Sequence, residues 1–227
     1  MNIVAVYSGG MDSTVLLYHL VSQGHQIRAL SVNYGQRHRR ELSAAREICT
    51  RLGIKHHEVD LSSITPLLSA SALISTGIDL PAGHYEDQSM RITVVPNRNM
   101  ILLSLATAWA INERCDAVAY GAHSGDHAIY PDCRETFVTP LAEAIWHCDW
   151  HRVLLLRPFI GMTKGDICKL GISLGVPFEE TWSCYGGGTR HCGVCGTCTE
   201  RREAFERAGV ADPTDYEKGY QLDRNSS

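Results

Sequence analysis

The chain is expected to be an α/β protein: a doubly wound, mostly parallel sheet of five strands, followed by a small cysteine-rich C-terminal module. Three observations predict this. Apolar runs of strand length alternate with helical patterns as far as Gly175. Four of those runs are apolar at nearly every position, as strands covered on both faces are. Four of the nine cysteines crowd into residues 184–198, where the apolar runs have ended.

The elements follow in order. Residues 2–7, "NIVAVY", read as the first strand, and 12–22 as a helix with Leu16, Leu17, Leu20 and Val21 on one face. "IRALSVNY", 27–34, is the second strand, and 39–53 a helix closed by Gly53. "KHHEVDL", 55–61, is a weaker third strand. A helix apolar on most faces is expected at 99–114 and a fourth strand at 116–122. Residues 134–148 read as helical with a break near Pro140, 152–159 as the fifth strand and 163–175 as a short helix. Residues 71–97 carry Gly77, Pro81, Gly83 and Pro96 and read as a long loop, which in a compact domain is usually functional. The division expected is an α/β domain over 1–179 and a module over 180–227, whose tail "QLDRNSS" reads as disordered.

Composition narrows the function. Apolar residues make up 44% and charged residues 20%, which is globular. A net charge of −4 argues against broad nucleic-acid binding, so no direct nucleic-acid partner is expected. The start is strand-like, without a basic leader, and the longest apolar run, 100–111, is too short for a membrane span. No membrane and a cytoplasmic, reducing compartment are expected. There the clustered cysteines read as metal ligands, not disulfides.

Sheets of this kind bind ligands beyond the carboxyl ends of their strands. The first such end is the turn "YSGGMDS". Gly9 and Gly10 let the backbone approach an anion, Ser8 and Ser13 add hydroxyl donors, and the next helix contributes free N–H groups. The spacing is neither that of a Walker A loop nor that of the dinucleotide fingerprint. Asp12 would repel bare phosphate, so it either caps the helix or works through a magnesium ion.

Cys184, Cys192, Cys195 and Cys198 form a C-x7-C-x2-C-x2-C set. Four thiolates suit one structural zinc ion, with an iron–sulfur cluster as the rival. His191 adjoins the set and reads as a bystander. A closed four-thiolate site leaves no open position for a substrate.

Ser-Gly-Gly-x-Asp-Ser after a first strand resembles the signature of the PP-loop ATP pyrophosphatases; Ser8, Gly9, Gly10, Asp12 and Ser13 match it position by position. "SVNYGQRHRRE", "NRNM", "YPDCRETF" and "TKGDI", with the terminal cysteines, resemble one branch of that family, the 7-cyano-7-deazaguanine synthases. The resemblance runs from Val4 to about Arg202, finds no motif in 71–97, and departs at Asn97, where glycine is the more frequent residue. It implies a Rossmann-like PP-loop fold and ATP cleaved between its α- and β-phosphates, with magnesium alongside. The implied reaction is an ATP-dependent ligation of 7-carboxy-7-deazaguanine with ammonia to the 7-cyano product, through an adenylated carboxylate and then an adenylated amide, within queuosine biosynthesis. A homodimer is compatible with it.

On that resemblance ATP falls to Ser8, Gly9, Gly10, Met11, Asp12 and Ser13, and catalysis to Asp12 and Lys164. By composition alone Lys164 reads as a solvated helix-start lysine; the match of "TKGDI" makes it a phosphate contact. The substrate falls to Tyr34, Gln36, Arg37, Arg98, Asn99, Tyr130, Asp132 and Arg134. Among these Asp132 is the expected reader of the donor-rich edge of a purine-like base, Tyr130 a wall, and Arg98 a bidentate anion contact. Each also reads as an ordinary loop or helix-start residue. Arg39 and Arg40 are expected to face solvent, and the remaining histidines, His123 among them, to be structural or exposed. The alternative is another adenylating member of the family, amidating or tRNA-thiolating. A thiolase would want a redox-active cysteine or an open iron, and a basic RNA-binding face. A non-enzymatic nucleotide sensor is the further rival, disfavoured by the acidic balance.

Overall fold

Successive strand residues point to opposite faces, so a strand apolar throughout needs two cores. β1 (Asn2–Val6) has them: Ile3 and Ala5 enter one core and Val4 the other. In this computed structural model, which describes residues 1–81 and 88–217, β1 is the centre of a five-stranded sheet ordered β3-β2-β1-β4-β5. All pairings are parallel, with Ile3 opposite Ile27 of β2 (Gln26–Asn33) and Ala117 of β4 (Ala117–Ala119). β3 (Lys55–Asp60) and β5 (Leu154–Leu156) form the edges.

Helices cover both faces. α1 (Met11–Ser22), α2 (Arg40–Leu52), α5 (Lys164–Ser173) and α6 (Gly196–Ala208) share a core with Ile3, Ala5 and Ala29. α3 (Arg98–Asn112) and α4 (Glu135–His147) pack on the other face around Val4, Leu30, Val118 and Leu155. The chain winds outward from β1 through β2 to β3, then returns to place β4 on the other side of β1. The carboxyl ends of β1 and β4 therefore diverge into a crevice at the switch point.

Several expectations are corrected. β4 and β5 pair over three residues each, because Tyr120, Gly121 and Ala122 leave the ladder to line a cavity. α4 runs through Pro140 without a break; one N–H donor is lost there, and Val138 and Ile145 hold the helix to the sheet. The segment from 180 onward is more than loops and a tail: α6 is 13 residues long, and Ala204 and Phe205 join the main core beside Phe178 and Ile167. The loop expected at 71–97 contains a 3₁₀ turn over Gln88–Thr93 and is stitched to itself, Ala72 N–H donating to Ile92 O at 2.7 Å. Gly83 and His84 of that loop, and the tail 221–227, lie outside the described residues. Among the described residues no helix is long and apolar enough to cross a membrane.

Candidate functional site

The turn after β1 is shaped by two glycines with different tasks. Gly9 has φ +85°, and a Cβ there would lie 2.1 Å from Glu41 O at the start of α2. Gly10 is the N-cap of α1, in extended conformation, so Asp12 is the second helical residue and not the cap. No side chain caps α1, which leaves its first N–H groups directed at the crevice. Ser8 and Ser13 lock the turn, their hydroxyls 3.0 Å apart, while Thr14 Oγ1 donates to Gly10 O at 2.8 Å.

Above this turn lies a cavity of about 240 Å³. Its walls include Ser8, Gly10, Met11, Asp12 and Ser13, the β4 exit at Tyr120–Ala122, Lys164, and Tyr34, Glu41 and Arg98. A second lobe of about 80 Å³ shares Tyr34, Glu41, Arg98, Trp182 and Tyr185 and adds Gln36 and Arg37.

Charge is concentrated at the Asp12 end. Lys164 Nζ is 3.0 Å from Asp12 Oδ2 and donates to Glu200 Oε2 at 2.6 Å. His123 Nε2 lies 3.7 Å from Asp12 Oδ2 and 3.6 Å from Asp126 Oδ2. Burial pushes the Asp12 carboxyl up, but Lys164 and His123 outweigh it, and Asp12 stays below the usual carboxylate range. Burial likewise opposes the Lys164 ammonium, and Asp12, Glu200 and Asp126 more than restore it, so the lysine remains charged. Asp12 Oδ1 is buried with no hydrogen-bond donor among the described residues.

The expected substrate residues separate into two groups. Tyr34 and Arg98 line both lobes, and Asn99 lines the larger. Gln36 and Arg37 line only the smaller; Gln36 is tied to Val32 O and Glu41, and Arg37 donates to Ile78 O at 2.7 Å. Tyr130, Asp132 and Arg134 are not among the lining residues of either lobe. Asp132 Oδ2 accepts from Asn99 N–H at 3.1 Å at the start of α3. The Tyr130 hydroxyl meets Thr93 at 2.8 Å, and Arg134 Nε donates to His127 O at 2.6 Å. Arg39 and Arg40 are exposed, as expected, and Arg40 also lies over Trp182 and donates to Thr189 O at 2.8 Å.

Glu41, His123, Asp126, Glu200, Trp182 and Tyr185 complete the site without having been assigned to it by the motifs. His123 and Asp126 follow β4, and that placement at a strand's carboxyl end was the available signal. Glu200 carried none, since its helix was not expected.

Cys184, Cys192, Cys195 and Cys198 place their sulfurs within 4.8 Å of one another, a set that could hold a metal ion. Backbone N–H groups of Gly186 and Cys192 donate to Cys184 Sγ at 3.1 and 3.3 Å, which favours its thiolate form. His191 is outside the set; its Nε2 accepts from Ser183 N–H at 3.2 Å, and its ring lies against Trp182. Trp182 N–H donates to Gly9 O at 3.0 Å, so the cysteine module is fastened to the glycine turn.

A parallel α/β sheet with an anion-binding glycine turn at its switch point, an adjoining acid and lysine, and a cysteine cluster define a nucleotide-binding protein of the PP-loop class. The family model for the queuosine biosynthesis protein QueC matches residues 2–209, and the chain belongs to that family. A 7-cyano-7-deazaguanine synthase of Methanoregula boonei is 50% identical over 217 residues, 96% of this chain and 100% of that protein. One of Hahella chejuensis is 49% identical over 214 residues, covering 94% and 92%. Among solved structures, the U34-tRNA thiolase NcsA of Methanococcus maripaludis, with its [4Fe-4S] cluster, is similar in fold at a TM-score of 0.51 and 17% identity, over 98% of this chain and 76% of that one.

Proposed function

We propose that this chain is a cytoplasmic 7-cyano-7-deazaguanine synthase, an ATP-dependent carbon–nitrogen ligase. The observation that carries the reading is the pairing of the PP-loop cradle with Lys164 and Asp12 in one cavity, in a chain half identical to proteins of that name over their full length. In the proposed reaction the carboxylate of 7-carboxy-7-deazaguanine attacks the α-phosphorus of ATP. The bond to the β-phosphate oxygen breaks and pyrophosphate leaves. Ammonia then adds to the carbonyl carbon of the acyl adenylate, a proton is lost, and AMP departs to give the primary amide. The amide oxygen attacks a second ATP in the same way. Loss of the two N–H protons and of AMP leaves the nitrile.

The protein's part is positioning and electrostatics. The N–H groups of the Ser8–Ser13 turn hold phosphate oxygens, and Lys164 meets negative charge developing at the α-phosphate. Asp12, whose buried Oδ1 has no donor among the described residues, would help to hold a magnesium ion, which would supply neutralising charge as pyrophosphate leaves. Arg98, Asn99 and Tyr34 face the base, with Gln36 and Arg37 behind them. Asp132, Tyr130 and Arg134 act from outside the cavity walls: Asp132 holds the start of α3, Tyr130 the loop before it, and Arg134 the segment after β4. The four thiolates fit one zinc ion of structural role: sulfurs this close suit a single tetrahedral centre, whereas a four-iron cluster spreads its ligands over four metals. That spacing favours ligation over a tRNA-thiolating alternative. A homodimer remains part of the proposal.

The test is a reaction of the purified protein with magnesium-ATP, ammonium and 7-carboxy-7-deazaguanine, followed by mass spectrometry beside Asp12→Ala. The expected outcome is nitrile, AMP and pyrophosphate, with none in the variant. Amide alone would correct the product, and absence of AMP from folded, metal-loaded protein would remove the reading.

A further inference from the structure

Resting on the reading just proposed, we infer that Glu41 is the specificity residue for the substrate's base, its carboxylate accepting from the ring N–H and 2-amino group of a guanine-like edge. Glu41 is the second residue of α2, and the fit of its carbonyl against Gly9 brings this end of the helix onto the glycine turn. Its side chain lines both lobes of the cavity. Oε1 accepts from Gln36 Nε2 at 3.1 Å, and Gln36 is itself buried and bonded to Val32 O, which fixes the orientation of the carboxylate. Arg98, whose charge acts on Glu41, lines the same two lobes. Burial pushes its carboxyl up to about 7 against the pull of Gln36 and Arg98, as expected where a hydrogen-bonding partner is still to arrive.

The surroundings match such a ligand. Tyr34, Trp182 and Tyr185 supply aromatic walls around the same space, and Arg98 presents a guanidinium to it. A guanine-like edge runs acceptor, donor, donor. A guanidinium answers the carbonyl oxygen and a carboxylate answers the two donors, while aromatic faces stack the ring. Asp132, whose carboxylate is the other acid near α3, is already engaged by the Asn99 N–H and is not in the cavity wall. Glu41 is thus the acid placed to take that role.

The experiment compares kcat/KM for 7-carboxy-7-deazaguanine and for its analogue lacking the 2-amino group, 7-carboxy-7-deazahypoxanthine, using the full chain with magnesium-ATP and ammonium. The unaltered protein should prefer the 2-amino substrate by about 10- to 100-fold, the worth of a charge-assisted hydrogen bond. In Glu41→Ala the two substrates should come within about threefold of each other. Glu41→Gln keeps the volume and the Gln36 contact but turns a donor toward donors, and its preference should collapse likewise. Parallel losses for both substrates, with the ratio kept, would mean that Glu41 only supports the turn, and would overturn the inference. So would an unaltered protein that turns over both substrates equally. No turnover of either substrate by the unaltered protein removes the underlying reading, and the inference falls with it.

Discussion

Gly9 shows how one residue ties the phosphate turn to the sheet's covering layer. Its φ of +85° disfavours any side chain, and the space a Cβ would take is filled by the α2 backbone. Gly9→Ala should therefore cost at least about 2 kcal/mol and displace α2 from the turn. A urea midpoint equal to that of the unaltered protein would contradict this. Asn97 makes the complementary case. It adopts φ 56° at the N-cap of α3, and asparagine is one of the few side chains that tolerate this region, which is why it can stand where glycine is the more frequent residue. Asn97→Gly should be near neutral, whereas Asn97→Ala should lose about 1 kcal/mol. The residues of the glycine turn were legible in sequence because their task is local: two glycines and two serines act within six positions. Glu41, His123 and Glu200 were not, because each reaches the glycine turn, Asp12 or Lys164 only when a different element carries it there.

At the scale of elements, α5 and α6 deliver the charged end of the site. α5 opens with a capping box: Thr163 Oγ1 accepts from Asp166 N–H at 3.2 Å, and Asp166 Oδ2 accepts from Thr163 N–H at 3.1 Å. The Thr163 hydroxyl, donating to Asp166 Oδ2 at 2.6 Å, and then the Thr163 N–H lower the Asp166 carboxyl below its ordinary value. A depressed carboxylate stabilises the fold above its unfolded pKa, near 3.9, and that contribution fades as pH falls through the lower folded value. Thr163→Ala should cost about 1 kcal/mol at neutral pH, and the stabilising share of Asp166 should vanish in strong acid. Melting curves of Asp166→Asn against pH should show a deficit at neutral pH that closes in strong acid; a deficit that grew in acid would contradict this. α6 is held by Arg201, fully buried, whose guanidinium donates to Thr214 at 2.6 Å, Thr181 at 2.8 Å and Phe178 O at 2.7 Å. Arg201→Ala takes the cation 3.7 Å from Asp212 away and removes the donors to Thr214, Thr181 and Phe178 O, and should cost about 3–5 kcal/mol. This helix escaped sequence reading for the same reason: its inner face carries Glu200 and Arg201 where an apolar stripe would have announced it. The central strands had no such disguise, since their continuous apolar runs follow directly from burial on both faces.

For the whole molecule, α6 makes the cysteine cluster and the proposed nucleotide site mechanically one unit. The helix contains the cluster residue Cys198, places Glu200 against Lys164 two residues later, and seats Phe205 in the main core. Trp182 adds a second link, from the residue two before Cys184 to the carbonyl of Gly9. If a single metal ion organises these sulfurs, its removal should act at a distance. Four sulfurs within 4.8 Å lose the charge that holds them together, the start of α6 loosens, and the Glu200 contact to Lys164 weakens. Chelation, or Cys195→Ser, is expected to lower the melting temperature by several degrees, since each 1 kcal/mol shifts a domain of this size by about 2–4 °C. ATP binding measured by calorimetry should weaken in parallel, and restoring one equivalent of zinc should recover both. Glu200→Gln separates the two effects: it leaves the four sulfurs and their metal in place while reproducing the loss at the proposed nucleotide site. If Glu200→Gln instead bound ATP normally, the route from cluster to lysine would be wrong, and the metal's influence would have to pass through Trp182 and the glycine turn.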